Sequence, residues 1–156
     1  MFDLIIRGDQ VVTPQGTGAW DVCIQGDTIA AIAAPGTFDD SQAGQVIDAR
    51  GKIVIPGGID PHIHSLWHIP PLEEGGEVTW TDGPDVVSRA AIHGGTTTLL
   101  DFASWQQKGT LEEVINVRKQ DWTGNCYTDY GYHVLLQGAI PPELMPQIAE
   151  VIQEGY

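Results

Sequence analysis

The first fifty residues contain short apolar runs that are separated by turn-forming residues. The apolar runs are residues 4–6, 11–12, 20–24 and 28–32. Runs of about five residues bounded by glycine, aspartate and proline are typical of strands in a small antiparallel sheet. A turn is predicted at Gly8 and Asp9, and Gly26 with Asp27 predicts a hairpin. We expect residues 35–45 to form a polar loop.

The pattern changes at about Val46. Residues 52–55 form an apolar run so dense that it predicts a strand buried on both faces, as in a parallel sheet. Predicted helices and strands alternate from there. The helices are predicted from Pro84 to the glycines at 94–95, from the capping-box residue Thr110 towards residue 122, and across residues 144–152, and the strands at residues 96–102 and 127–136.

Repeated strand–helix units with dense strands imply a parallel sheet. Three units cannot close an eight-stranded barrel, which takes about 250 residues. Alone they leave an open sheet edge and exposed apolar helix faces. The order therefore predicts either a small open α/β domain or the first part of a barrel that continues past Tyr156.

The charge and cysteine content narrow the class of protein. The formal net charge is −14 at pH 7, and an acidic chain disfavours binding to nucleic acid or to an anionic membrane surface. No stretch approaches the ~18 apolar residues that a membrane span needs. Cys23 and Cys126 lie far apart and form no CxxC motif. We expect a reduced, cytoplasmic protein.

The segment with the clearest chemistry is Pro-Gly-Gly-Ile-Asp-Pro-His-Ile-His, residues 56–64. Side chains alternate along an extended chain, so His62 and His64 point the same way and can reach one metal ion. The end of a buried strand is where α/β folds bind ligands. Asp60 lies on the same face and is predicted to support a ligand histidine.

This segment resembles the first metal-binding strand of the amidohydrolase superfamily. Residues 89–102, with their Gly-Gly-Thr-Thr-Thr turn, are similar to the family's first helix and second strand, and the leading β unit is similar to its small β-sandwich. Residues 129–133, Asp-Tyr-Gly-Tyr-His, are similar to the third strand of dihydropyrimidinases and hydantoinases. The resemblance covers nearly the whole chain.

The resemblance implies an α/β fold. Residues 1–50 would be the N-terminal part of a small β-sandwich domain, and residues 51–156 the first three βα units of a TIM-like (β/α)8 barrel. The implied activity is hydrolysis of a cyclic amide, such as a hydantoin or a dihydropyrimidine. His62 and His64 would bind one of two divalent metal ions, usually zinc, which share a hydroxide and a carbamylated lysine. The resembled group also implies a homotetramer.

The same resemblance places the remaining catalytic groups beyond Tyr156. They are the carbamylated lysine, two further histidines, the general-base aspartate and a substrate-binding tyrosine. The lysines at positions 52, 108 and 119 precede or interrupt other elements and are poor substitutes. We therefore expect the 156 residues alone to be inactive.

The loop after the two histidines departs from the family's Leu-Asp-Met-Pro-like run, which leaves the substrate open. Leu66 and Trp67, with Ile69, either form an apolar wall for a ring substituent or pack the loop against the barrel rim. His68 is a further candidate for the pocket or the metal, although a plain loop residue is the simpler interpretation.

Three other residues have structural interpretations that compete with, or replace, a direct role in the site. Asp101 is predicted to end the second strand on the active face, where it orients groups of the site or anchors a loop. His93 is predicted to contact a helix end favourably. His133 is predicted to be a hydrogen-bonded residue within a buried strand rather than a metal ligand.

Two rival functions remain open. One is another amidohydrolase, such as an allantoinase or a dihydroorotase. The other is a non-catalytic dihydropyrimidinase-like scaffold or a stand-alone binding fragment. Such scaffolds lose the metal ligands, so the presence of both His62 and His64 argues against them.

Overall fold

The structure, a computed structural model, describes residues 1–71 and 73–156. The chain divides into two units, Met1–Pro56 and Gly57–Tyr156. The assignment of residues 1–50 to a β-sandwich and of residues 51–156 to a barrel stays a prediction.

The first unit is a five-stranded sheet with the strand order β3-β2-β1-β4, in which β5 also pairs with β1. Its strands are β1 (Phe2–Thr13), β2 (Gly16–Gln25), β3 (Thr28–Ala33), β4 (Ala43–Asp48) and β5 (Ile53–Val54). The first three strands are antiparallel, whereas β4 and β5 run parallel to β1. The predicted hairpin is confirmed, because Gln25 pairs with Thr28 and Gly26 has a φ of 63°.

Four predictions for this unit were wrong. The predicted turn at Gly8 and Asp9 is a bulge, across which β1 continues to Val11. The end of the predicted polar loop forms a short 3-10 helix, Asp40–Gln42, and the start of β4. The dense apolar run at residues 52–55 does not enter the parallel sheet of the second unit, because Ile53 and its neighbour pair with β1. Its apolar pattern specified a strand but not the partner strand. The predicted burial on both faces was also wrong, because Ile53 and Ile55 are exposed.

The second unit is built around a parallel sheet with the strand order β10-β9-β6. In chain order its elements are β6 (Gly58–Asp60), β7 (His68–Ile69), β8 (Thr79–Trp80), α1 (Pro84–His93), β9 (Thr96–Trp105), α2 (Leu111–Trp122), β10 (Asp129–Leu136) and α3 (Met145–Gln153). The short strands β7 and β8 pair with each other in the loop that leaves the sheet after β6.

The helices begin and end at the predicted signals. Pro84 is the first residue of α1, and Gly94 and Gly95 follow its end. Thr110 Oγ1 caps α2 by accepting a hydrogen bond from the Glu113 N–H, and Glu113 Oε2 accepts one from the Thr110 N–H. Among the described residues, no helix is long and apolar enough to span a membrane.

Strand β9 presents two different faces. Alternate residues from Leu99 to Trp105 are buried, whereas the residues between them are only half-buried. The buried face packs against α2 and α3 in one apolar core, which contains Leu99, Ala103, Trp105, Leu111, Ile115, Trp122, Tyr132, Leu144 and Val151. The other face of β9 lies towards the residues that follow β6, and the candidate site is there.

Candidate metal centre

Two histidine rings converge directly after strand β6. The Nε2 atoms of His62 and His64 lie 3.2 Å apart. The rings meet edge to face with centroids 5.0 Å apart, and both residues are exposed. The predicted same-side orientation of the two side chains is confirmed, although β6 itself ends before them, at Asp60.

The spacing of this pair fits a shared metal ion. Two nitrogens bound to one tetrahedral zinc at ~2.0–2.1 Å are about 3.3 Å apart, close to the observed 3.2 Å. Among the described residues, no group of three or more histidine, cysteine, aspartate or glutamate side chains is arranged to hold a metal. This part of the chain therefore offers a pair of ligands rather than a complete set. Metal binding by His62 and His64 stays a prediction.

Aromatic side chains surround the pair. The ring centroid of Phe102 lies 4.6 Å from that of His62 and 5.1 Å from that of His64. The indole of Trp67 lies 4.2 Å from the ring of His64. These contacts restrict the rotation of the histidine rings, which favours a preformed ligand pair.

The backbone between the histidines is tied to the neighbouring strand. The N–H of Ile63 donates to the carbonyl oxygen of Leu100 on β9, at 3.0 Å. The N–H of His62 donates to Oδ1 of Asp60 at 3.1 Å. Asp60 therefore contacts the backbone of a predicted ligand, and its support of a metal-bound histidine stays a prediction.

His133 holds the residue that precedes the histidines. Its Nε2 donates to the carbonyl oxygen of Pro61 at 3.0 Å, and its ring lies 5.2 Å from that of Phe102. The predicted hydrogen-bonding role is confirmed. The predicted burial was wrong, because His133 is exposed in β10, on the face of the sheet opposite the buried Tyr132.

Asp101 binds the residue that follows the histidines. Its side chain is fully buried. Its Oδ2 accepts hydrogen bonds from Ser65 Oγ at 2.9 Å and from Trp122 Nε1 at 3.0 Å. Its Oδ1 accepts one from the Phe102 N–H at 2.8 Å, and the Ser65 N–H lies at 3.5 Å. The carboxylate thus links the loop after His64 to strand β9 and helix α2.

The predicted position of Asp101 was wrong, although one of its predicted roles fits. Asp101 lies inside β9, which continues to Trp105, and its side chain belongs to the buried, helix-facing side of the strand. The sequence suggested an end at Phe102 because the most apolar residues stop there. The contact of Asp101 with Ser65 fits the predicted anchoring of a loop.

Arg118 of helix α2 is a residue of this region that the sequence did not indicate. Its Nη1 donates to the Ser65 carbonyl oxygen at 2.9 Å, and its Nε donates to the Phe102 carbonyl oxygen at 3.1 Å. The same Nη1 lies 3.7 Å from Oδ2 of Asp101 and 3.2 Å from Oδ2 of Asp121. Ser65 is 53 positions earlier in the chain, so no local pattern marks this contact.

A cavity of about 1060 Å³ lies beside the site, between the loop after the histidines and helix α2. Leu66, Trp67 and His68 line it from the loop, and Val114 and Val117 from the helix. The lining by Leu66 and Trp67 fits part of the apolar wall that the sequence suggested, whereas Ile69 is not among the lining residues. Their contact with a substrate stays a prediction.

Other features of this loop constrain its conformation. Leu66 has a φ of 50°, which is uncommon for a residue other than glycine. The backbone N–H of Trp67 donates to Thr81 Oγ1 at 2.8 Å. Its indole Nε1 is buried and has no hydrogen-bond partner among the residues that the structure describes. His68 belongs to β7, where its ring lies 5.6 Å from that of Trp80. His68 is therefore part of a hairpin at the cavity edge.

The phenol of Tyr132 and the thiol of Cys126 have shifted pKa values. Burial, with smaller contributions from Tyr130 and Asp101, raises the pKa of Tyr132 well above its usual value. The hydroxyl of Tyr132 lies 3.4 Å from the carbonyl oxygen of Arg118. Burial also raises the pKa of the Cys126 thiol, which therefore stays protonated at neutral pH.

Comparisons with known proteins agree on one family. The amidohydrolase family model matches residues 45–120. A D-hydantoinase of Streptomyces coelicolor is 36% identical over 153 residues, which are 97% of this chain and 31% of the relative. The crystal structure of a dihydropyrimidinase from Brevibacillus agri superposes with a TM-score of 0.80 at 32% identity, over 97% of this chain and 31% of that one.

An allantoinase of Salmonella paratyphi B matches over a shorter part of the chain. It is 34% identical over 111 residues, which are 71% of this chain and 22% of the relative. The chain therefore spans about a third or less of the length of the proteins that it matches.

Proposed function

We propose that this chain, which belongs to the amidohydrolase family and corresponds to the N-terminal part of D-hydantoinases and dihydropyrimidinases, forms part of an enzyme that hydrolyses a C–N bond of a cyclic amide. The family resemblance predicted from the sequence is thereby confirmed. The activity and the substrate remain proposals because the chain spans 31% of its D-hydantoinase relative.

The observation that carries this proposal is the convergence of His62 and His64. Their Nε2 atoms, 3.2 Å apart, have the spacing of two ligands on one metal ion. A bound divalent ion would lower the pKa of a coordinated water to about 7 and would polarise the amide carbonyl, which is a poor electrophile by itself. In this chain the two histidines would hold the ion, and Phe102 and Trp67 would keep their rings in place.

The remaining parts of the machinery are proposed from the family. A second metal ion, a carbamylated lysine and a general-base aspartate would lie beyond Tyr156, as would the rest of a (β/α)8 barrel. In the described part of the chain, β6 and β10 are the edges of the parallel sheet, and further barrel strands would pair there. The substrate would be a small molecule, and the assembly a homo-oligomer.

The proposal is tested with the complete protein, dialysed and analysed for zinc. His62→Ala and His64→Ala should each lower zinc affinity by more than the ~10–100-fold loss that follows mutation of a residue hydrogen-bonded to a ligand. Each variant should also abolish hydrolysis of hydantoin and dihydrouracil. His93→Ala is the matched control, since His93 lies at the end of α1. Retention of zinc by both site variants would refute the proposed metal centre.

The 156-residue chain alone should be inactive, because it supplies two of the proposed ligands. Hydrolysis of a cyclic amide by the purified short chain would contradict this expectation.

The similarity to an allantoinase supports a second candidate substrate. Allantoin carries a ureido substituent on a hydantoin ring, so the same metal chemistry serves both. Comparison of kcat/KM for allantoin with that for hydantoin and dihydrouracil distinguishes the two. We favour the hydantoinase side because that similarity extends over 97% of this chain, against 71% for the allantoinase.

A further inference from the structure

We propose that Arg118 and Asp101 are positioning residues that fix the geometry of His62 and His64 from the opposite face of strand β9. This inference rests on the metal centre of the proposed function. Neither side chain is a proposed ligand. Both act through the two residues that hold the histidines, Ser65 and Phe102.

The first step is the immobilisation of Ser65. This residue is fully buried and directly follows His64. Its hydroxyl donates to Asp101 at 2.9 Å, and its carbonyl oxygen accepts from Arg118 Nη1 at 2.9 Å. Since the Ser65 N–H also points at Asp101, from 3.5 Å, the peptide between His64 and Ser65 has little freedom to rotate.

The second step is the immobilisation of Phe102. Its N–H donates to Asp101 at 2.8 Å and its carbonyl oxygen accepts from Arg118 Nε at 3.1 Å. Its ring contacts both histidines. The same two side chains therefore hold the backbone next to one histidine and the aromatic ring that packs against both.

The third step concerns charge. Asp101 is fully buried, and the side chain of Arg118 is 12% exposed, with 3.7 Å between them. A buried ion pair is a weak source of stability, because the desolvation of both charges offsets their attraction. A planar guanidinium, however, presents several donors in fixed directions. The pair is thus better suited to fixing geometry than to stabilising the fold.

Arg118→Lys tests the inference, because lysine keeps the charge and loses the fork that reaches both carbonyl oxygens. In the complete protein, zinc affinity measured by chelator competition should fall by about tenfold or more. The visible spectrum of the Co²⁺-loaded variant should differ from that of wild type, because the ligands are displaced. Arg89→Lys should match wild type in both, since Arg89 is exposed on α1 and contacts Tyr127.

Three outcomes would overturn the inference. The first is a folded Arg118→Lys variant that binds zinc within about two-fold of wild type with an unchanged cobalt spectrum. If that variant does not fold, Ser65→Ala replaces it, and unchanged zinc affinity there counts against the inference equally. The last is the absence of zinc binding in wild type, which would also refute the proposed metal centre.

A selective loss of zinc affinity in Arg118→Lys supports the inference even where the wild type hydrolyses no cyclic amide. Zinc affinity reports the geometry of the ligands without the reaction. Failure of the proposed activity is therefore distinguishable from failure of this inference.

Discussion

The Nε2 atom of His133 lies 3.0 Å from the carbonyl oxygen of Pro61. A carbonyl oxygen only accepts, so Nε2 carries the proton in this contact. The hydrogen bond joins strand β10 to the residue directly before His62. The segment that contains the predicted metal ligands His62 and His64 is thus held before His62 by β10 and after His64 by the contacts of Ser65.

Replacement of His133 by phenylalanine should weaken zinc binding by about tenfold, because the ring beside Phe102 is kept while the donor to Pro61 is lost. His133→Gln, which keeps an N–H donor, should recover part of the loss. Chelator competition measures both affinities, and His93→Phe is the control. Equal zinc affinity in His133→Phe and wild type would show that this hydrogen bond does not position the ligands.

Gly57 is predicted to be intolerant of a side chain. A Cβ there would collide with the side chain of Thr97 on β9. Gly57→Ala should lower the free energy of unfolding by about 1–3 kcal/mol, as overpacking does, and should weaken zinc binding by displacing β6. Urea unfolding measures the first effect and chelator competition the second.

Two further variants check the cause of this effect. Thr97→Ala in the Gly57→Ala background should restore part of the stability. Gly94→Ala should stay within about 0.5 kcal/mol of wild type, because its Cβ would have ordinary contacts and its φ is −85°. A stable Gly57→Ala protein would contradict the predicted collision.

Trp67 is predicted to set the preference for ring substituents. Trp67→Ala should lower kcat/KM for hydantoins with a bulky apolar substituent about tenfold more than for unsubstituted hydantoin, because part of the cavity wall is lost. The measured quantity is the ratio of kcat/KM for the substituted hydantoin to that for unsubstituted hydantoin. A ratio is needed because Trp67 also packs on His64, so its loss would lower both values. Ile69→Ala is the control, because Ile69 is not among the residues that line the cavity. An unchanged ratio in Trp67→Ala would assign Trp67 to packing alone.

Burial of Tyr132 should make part of the free energy of unfolding depend on pH in the alkaline range. Burial raises its pKa in the folded protein, so folding favours the protonated phenol. This contribution is complete below the unfolded pKa of about 10 and is lost as the pH rises through the folded pKa. From about pH 9 to 11, urea unfolding should therefore show a shallower loss of stability in Tyr132→Phe than in wild type. The control is Tyr127→Phe, because Tyr127 is exposed; identical slopes for wild type and Tyr132→Phe would contradict the prediction.

Local signals predicted much of the second unit. The start of α1 at Pro84 and the capping box of Thr110 depend on residues a few positions apart, which the sequence displays directly. The convergence of His62 and His64 is of the same kind, because it follows from the alternation of side chains along an extended chain. These features require no knowledge of the tertiary fold.

One of the errors and one of the omissions concern contacts between distant parts of the chain. The apolar run around Ile53 identified a strand, but its pairing with β1 depends on residues more than forty positions earlier. The contact of Arg118 with Ser65 likewise joins a helix to a loop 53 positions away. Charged residues on a helix are usually solvated, so nothing distinguished Arg118 from its neighbours before the structure.

One face of β9 packs in the apolar core and the other lies towards the histidines. A protein engineer could therefore vary the residues of each face in a separate mutant library. Variation at Leu100 and Ser104, which flank Phe102 on one face, would alter the surroundings of the histidines and leave the apolar core intact. Variation at Leu99 would alter the core and leave those surroundings intact. Asp101 and Ala103 are the exceptions, since both belong to the core face, but Asp101 holds the site and Ala103 lines the cavity beside it, and such a library should keep them fixed.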